Sequence, residues 1–349
     1  MITIHHIIGD GMSLGYLVRD ILDHLADPTK EYVPVDPPAF TVEQIPIRPH
    51  VNFLTKFILN RYNTEWQRQK AKHHISFDAE DMANLHEIFV TNYQTIFSNL
   101  QLSEDETTSF LRKCRREEVT VNSALLTLFL TVQQQYLHLD SNIKHRTIIP
   151  VNIRDRLRKP AGEGFGLCAS GYNLTYQYND HQPFWDNVRA LHKRITTQMT
   201  DHNIFKDLFL MYHFMDPSLM GDMKYFVIGR LVKDSPQYDK LSQLARQKDL
   251  VINKLIKKKK LDIGFTHEVV LTNIGNLDRI NLKRSYGAFV LDSLMFAPGS
   301  NPRMRLAIGV VTASGKLNLS ISSMSHNYSQ KQLDELRGLI HVKLHEEIL

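Results

Sequence analysis

The stretch from Val121 to Leu137 constrains this chain more than any other. It carries Ala124-Leu125-Leu126 and Leu128-Phe129-Leu130 behind Thr120, whose hydroxyl suits a helix N-cap. A helix that is apolar nearly all round belongs inside a core. The chain's 349 residues are enough for two domains and a substantial core. Its 42% hydrophobic and 23% charged residues are ordinary globular composition.

Around that helix the pattern mixes strands and helices. Ile2 to His6 reads as a short strand broken by Gly9-Asp10-Gly11. A helix follows from about Ser13, with Leu14, Leu17, Val18, Ile21, Leu22 and Leu25 on one apolar face, and Asp27-Pro28 ends it. Six prolines (Pro28, Pro34, Pro37, Pro38, Pro46 and Pro49) make the next segment an extended connector, since proline fixes φ and removes a donor. An amphipathic helix is predicted around Asn52 to Lys70. Thr95 to Leu102 reads as a strand, and Ser103 with Glu106 forms a capping box for a helix towards Arg116. Further strands are predicted at Arg146–Ile153, Cys168–Tyr178, His267–Thr272, Ala288–Phe296, Arg305–Thr312 and Lys316–Met324, the last two joined by Ser314-Gly315. Three or four helices fill Pro183 to Lys258, and Ser329 caps a closing amphipathic helix from Lys331. The class is α/β or α+β.

Composition excludes several functions. A net charge of +5 is mild and not concentrated as in a nucleic-acid binder. No apolar run approaches the roughly 18 residues of a membrane span. Cys114 and Cys168 give neither a disulfide framework nor metal-ligand spacing, so a reducing, cytoplasmic setting is the default expectation. The run Lys257 to Lys260 reads either as a solvated helix end or as a steering patch for an anionic donor.

The segment with chemistry in it is His5-His6-Ile7-Ile8-Gly9-Asp10-Gly11. Imidazole titrates near neutral pH and can take a proton from an attacking alcohol or amine. A carboxylate at Asp10 can hold the loop's shape, and Gly9 and Gly11 permit backbone angles that bulkier residues resist. Chance pairing is the competing reading, for the chain has 17 histidines and a second pair at His73-His74. A metal site from His5, His6 and Asp10 is disfavoured, because adjacent strand residues point to opposite faces. No metal is expected.

This segment resembles the HHxxxDG signature of the condensation-domain and chloramphenicol-acetyltransferase-like acyltransferase superfamily, nearest its alcohol-acetyltransferase and polyketide-associated branch. Later stretches resemble that family in order: Cys114 to Asn122 as its helix, turn and Thr-capped helix, Pro150-Val151-Asn152-Ile153-Arg154 as its PVNxR strand end, and Leu271-Thr272-Asn273-Ile274-Gly275 as its SNxG stretch. The resemblance covers essentially the whole chain, though only the first motif is fairly specific. It implies a two-domain sandwich with mixed sheets, flanking helices and an active-site tunnel between the domains. It divides the chain into residues 1–92, the remainder of an N-terminal domain, and residues 93–349, the C-terminal domain.

Carried over by position, His6 matches the catalytic base and Asp10 the structural aspartate, with Arg154 as its partner and His5 and Gly11 in support. The competing reading of Arg154 is a surface charge in a basic stretch with Arg156 and Arg158. Thr272 and Asn273 are candidates for polar contacts with substrate, or simply a polar strand end. The implied reaction moves an acyl group from coenzyme A or a phosphopantetheine-bearing carrier protein to a small alcohol or amine. No tightly bound cofactor is implied.

The sequence departs from the family in two places. The family has a considerable segment before its motif, whereas here the motif starts at residue 5. The chain thus resembles a member lacking most of its N-terminal domain, and a strand at Ile2 to His6 would stand as an exposed edge prone to association. Ala297-Pro298-Gly299-Ser300-Asn301 occupies the region of the condensation domains' DFGW stretch. That favours a free-standing acyltransferase over a peptide-forming condensation domain. A non-catalytic interaction protein derived from such an enzyme is the third reading.

Overall fold

A computed structural model describes residues 1–32, 41–140, 143–231, 239–258, 267–302 and 304–348. In chain order its elements are α1 (Gly11–Ala26), α2 (Phe53–Lys72), α3 (Ala79–Asn92), β1 (Thr95–Gln101), α4 (Glu104–Arg116), α5 (Val121–Tyr136), β2 (His145–Asn152) and β3 (Ala169–Tyr176). Next come α6 (Phe184–Gln198), α7 (Asp201–Phe214), α8 (Pro217–Leu231), α9 (Asp239–Arg246), α10 (Val251–Lys258) and β4 (His267–Asn276). The chain finishes with β5 (Ser285–Tyr286), β6 (Phe289–Val290), β7 (Met304–Ala313), β8 (Lys316–Met324) and α11 (Gln330–Glu347). The fold is a mixed α/β arrangement, as expected.

Contacts group these elements into two compact units. One comprises Met1–Pro46, Thr95–Ile204 and His267–Leu349, the other Ile47–Gln94 and Phe205–Thr266. This grouping differs from a division into 1–92 and 93–349. The His-His segment and α1 pack with the later strands of the first unit.

That unit is built on a four-stranded sheet in the order β1-β8-β7-β4. β1 and β7 flank β8 antiparallel, while β4 lies parallel to β7. β2 and β3 pair antiparallel beside β4, and Thr147 Oγ1 donates to Val269 O at 2.5 Å. α5 is buried from Ser123 to Gln134 and packs against α6 and α11, which is the position its all-round apolarity required. The capping signals read from sequence are present as hydrogen bonds. Ser103 accepts from the Glu106 N–H, Thr120 from the Ser123 N–H and Ser329 from the Gln332 N–H.

The second unit is helical. Trp66 is fully buried among Ile75, Leu219, Phe226, Leu250 and Ile252, and its Nε1 donates to Asp222 Oδ2 at 3.3 Å. A neighbouring cluster of Leu85, Ile88, Tyr225 and Leu241 is covered by Phe77, which stacks on Tyr225. α3, unread in the sequence, begins with a capping box from Asp78 and Asp81.

Several expectations are corrected. Ile2 to His6 forms no strand: residues 1–5 are irregular and a turn follows. A strand needs a partner for its N–H and C=O groups, and this segment is paired with none among the described residues. The apolar face of α1 is only partly covered. Val18 and Leu22 pack on Leu277, Val311 and Ala313, but Ile21 is 39% and Leu25 55% exposed. Ala288 to Phe296 is mostly not ladder: only Phe289–Val290 pairs, with Ser285–Tyr286. Beyond them the chain runs as a strap across the face of β7. A Cβ on Gly309 would lie 1.9 Å from Phe296 O, so glycine is what lets the strap lie there. Among the described residues, five α-helices, α6 to α10, occupy the region where three or four were expected. α8 begins at Pro217, a residue suited to a first helical position, with Asp216 Oδ1 accepting from the Ser218 N–H. Pro34, Pro37 and Pro38 of the proline-rich connector lie outside the described residues, as do Lys259 and Lys260 of the lysine run.

Candidate active site

The His-His segment has a buried root and an exposed tip, both within the first unit. Asp10 is the root. It is the N-cap of α1, and its carboxylate accepts from the Ser13 N–H at 2.8 Å and the Cys168 N–H at 2.9 Å. Arg154 Nη2 donates to Asp10 Oδ1 at 2.9 Å and to Ser13 Oγ at 2.8 Å. Arg154 Nη1 donates to Gly164 O at 2.6 Å. Arg154 is 2% exposed and Asp10 6%, so the surface-charge reading of Arg154 is set aside. Burial pushes the Asp10 carboxyl up, but the Ser13 N–H, the Arg154 guanidinium and the Cys168 N–H outweigh it and hold the group below the usual carboxylate range.

Two further contacts tie the 162–166 loop to α1. Ser13 Oγ lies 2.9 Å from Gly166 O, and Arg19 forms a 2.7 Å ion pair with Glu163. Sequence reasoning missed Ser13. Its signal was the Asp10-x-x-Ser13 spacing of a capping box.

The glycines serve space, not backbone angle. Neither Gly9 nor Gly11 has a positive φ. A Cβ on Gly11 would come 2.4 Å from Ile274 Cγ2, and one on Gly9 2.8 Å from Ile4 Cδ1. Gly11 thereby seats the loop directly against β4.

At the tip, His5 and His6 are exposed and take opposite tautomers. Gly9 O can only accept, so the 3.0 Å contact from His6 Nδ1 puts a proton on that nitrogen, and in the neutral ring the lone pair is then on Nε2. His5 Nδ1 accepts from the Ile7 N–H at 3.2 Å and therefore carries no proton.

Thr272 and Asn273 sit on β4 with different surroundings. Asn273 and Leu271 line a cavity of about 320 Å³ at the head of α5, together with Asn122, Ile149 and His192. Asn273 Nδ2 donates to Asn122 Oδ1 at 2.8 Å, and Asn273 Oδ1 accepts from the Gly275 N–H at 2.7 Å. The second bond closes a turn in which Gly275 has φ +85°, at the point where the β4–β7 register shifts. Strand alternation puts Thr272 on the other face from Asn273, and Thr272 does not line the cavity. His192, also unread in the sequence, lies 3.1 Å by Nδ1 from Ser123 Oγ.

The two cysteines are unsuited to thiolate chemistry. Burial pushes Cys114 up to about 12 and also raises Cys168. Among the described residues no helix is long and apolar enough to cross a membrane.

No protein-family model and no curated protein matches the sequence. Solved structures do match the fold. The trichothecene 15-O-acetyltransferase TRI3 of Fusarium sporotrichioides aligns with TM-score 0.58 at 12% identity, over 98% of this chain and 64% of its own. The cyclization-docking bidomain of EpoB from Sorangium cellulosum gives 0.54 at 12% identity, over 99% and 59%. The epimerization domain from the third module of tyrocidine synthetase B gives 0.53 at 15% identity, over 99% and 68%. This chain spans roughly three-fifths to two-thirds of the length of these proteins. Its fold is therefore shared with condensation-domain and acetyltransferase structures.

Proposed function

We propose that the chain carries the acyl-transfer machinery of an enzyme that moves an acyl group from a thioester to an alcohol or amine, with His6 as general base. One observation carries this reading. The Nδ1–H of His6 is committed to Gly9 O, which in the neutral imidazole puts the lone pair on Nε2 of an exposed ring, carried by an anchored loop. An imidazole so arranged can take the acceptor's proton as its oxygen or nitrogen attacks the thioester carbon, then return that proton to the departing thiolate. Asp10 and Arg154 act at one remove, by fixing where the loop leaves the core.

The donor in this reading is acyl-coenzyme A or an acyl group on a phosphopantetheine carrier, and the acceptor is a small alcohol or amine. The cavity at the head of α5, with apolar Leu126, Ile149 and Leu271 beside the Asn122–Asn273 amide pair, suits a substrate portion of mixed character. Asn273 is the candidate for a polar contact there, and Thr272 for one from the opposite face of β4. The second reading is a condensation domain acting between carrier-bound substrates. The fold is shared with the first condensation domain of the CDA synthetase as well as with an acetyltransferase.

Thiol release from a panel of acyl-coenzyme A and acyl-carrier donors, with mixed alcohols and amines, tests both. The expected outcome is acceptor-dependent release that falls by about 10²-fold or more in His6→Ala. Release only from carriers would favour condensation. Release unchanged in folded His6→Ala would refute the assignment of the base.

A further inference from the structure

Away from the His-His loop, the first turn of α4 meets the end of α11. His341 and His345 are four residues apart on α11, so they share one face of the helix. Their Nε2 atoms lie 3.1 Å apart. Glu106 of α4 brings Oε1 to 3.3 Å from His345 Nε2. One ligand atom from each of the three residues fits within 4.8 Å of the others.

We propose that Glu106, His341 and His345 form a binding site for a divalent transition-metal ion of the zinc class, clamping α4 to α11. The spacing supports it. Zinc bonds of roughly 2.0–2.2 Å in tetrahedral array set ligand atoms about 3.3–3.5 Å apart. The distances of 3.1 and 3.3 Å lie close to that, and the Glu106–His341 pair, within 4.8 Å, closes to it by side-chain rotation. Two protonated nitrogens facing each other at 3.1 Å would repel, so at least one Nε2 offers a lone pair.

The surroundings agree. Glu106 Oε2 accepts from the Ser103 N–H at 2.8 Å, which orients the carboxylate and leaves Oε1 for the histidines. The imidazoles stand near the C-terminal end of α11, where the helix favours positive charge. At the start of α4, Glu104, Asp105 and Glu106 offset the opposite tendency. His345 is partly open to solvent, so water can complete the coordination. The ligand set of two imidazoles and a carboxylate selects zinc, cobalt or nickel over magnesium or calcium.

The test uses the full untagged chain, stripped with a chelator and titrated by calorimetry with zinc chloride and separately with cobalt(II) chloride, whose absorbance reports tetrahedral nitrogen and oxygen ligands. Expected are a 1:1 stoichiometry and a rise in thermal midpoint with zinc. His341→Ala and His345→Ala should each weaken binding at least tenfold, and Glu106→Gln should also weaken it. His73→Ala/His74→Ala should leave it unchanged. Circular dichroism and urea midpoints establish that the variants remain folded. Absence of saturable 1:1 binding would overturn the proposal. So would binding that persists in folded His341→Ala and His345→Ala, or that is lost with His73 and His74.

Discussion

The root and the tip of the His-His loop are four residues apart and physically opposite. Asp10 is buried and saturated by Ser13, Arg154 and Cys168. His6 is exposed and held by a single bond to Gly9 O. Position is thus set where solvent is excluded, while the imidazole stays exposed at the surface. A loop built this way tolerates change at its tip and very little at its root.

The sharpest way to break that contrast is Arg154→Ala. It leaves the Asp10 charge buried without its counter-ion and should cost about 3–5 kcal/mol in urea unfolding. Replacing both partners, as Asp10→Leu with Arg154→Met, should cost less than Arg154→Ala alone. An equal or greater loss in the double variant would mean that the pair itself is not what matters. Next in size is Gly11→Ala, where the added methyl meets Ile274 Cγ2, with an expected cost of about 1–3 kcal/mol. Combining it with Ile274→Ala should cost less than the sum of the single changes. Strict additivity would contradict the close approach.

A smaller effect should appear on the acid side. The Asp10 carboxyl is held below its ordinary value of 3.8 in the folded chain. Its contribution is therefore complete above the unfolded-state value and is lost as pH falls through the lower folded-state value. Urea midpoints of wild type and Asp10→Asn should accordingly converge as pH drops below about 4. A gap that stays constant would show that the Asp10 charge is not involved. At the tip, His5→Ala and Ile7→Ser should change stability by no more than about 0.5 kcal/mol. A larger loss would show that the tip shares the rigidity of the root.

Much of this was legible in the sequence where a local signal decides the structure. Thr120, Ser103 and Ser329 announced their helices because an N-cap hydroxyl and the backbone it serves are three residues apart. The Ser314-Gly315 hairpin is local in the same sense, since the turn itself fixes the pairing of β7 with β8. The failures are long-range. Ile2 to His6 has a strand's composition, but strand formation depends on a partner that composition cannot supply. Ala288 to Phe296 is rich enough in apolar residues to read as a strand, yet beyond Val290 it serves as a strap, which Gly309 admits, a residue whose missing side chain gives no pattern. At the site, Asp10 and Arg154 could be paired in advance only through family resemblance, whereas the Asp10–Ser13 capping box could have been read directly. Thr272 and Asn273 were grouped as neighbours in sequence, but the two-residue period of a strand separates them. The His341–His345 spacing was also visible, but Glu106, distant in sequence, gives it meaning only in three dimensions.

The parallel register of β4 and β7 implies an order of assembly. β7 and β8 are joined by a tight turn and can pair as soon as both exist, whereas β4 must close the whole strap before His267 meets Met304. Loop closure of that length is entropically slower than hairpin formation. β4 should therefore dock late, bringing Asn273 with it, so that the cavity wall is completed after the neighbouring hairpin. Pulse-labelled hydrogen exchange during refolding would then show protected β7–β8 amides before those shared by β4 and β7. The reverse order would place the nucleus elsewhere.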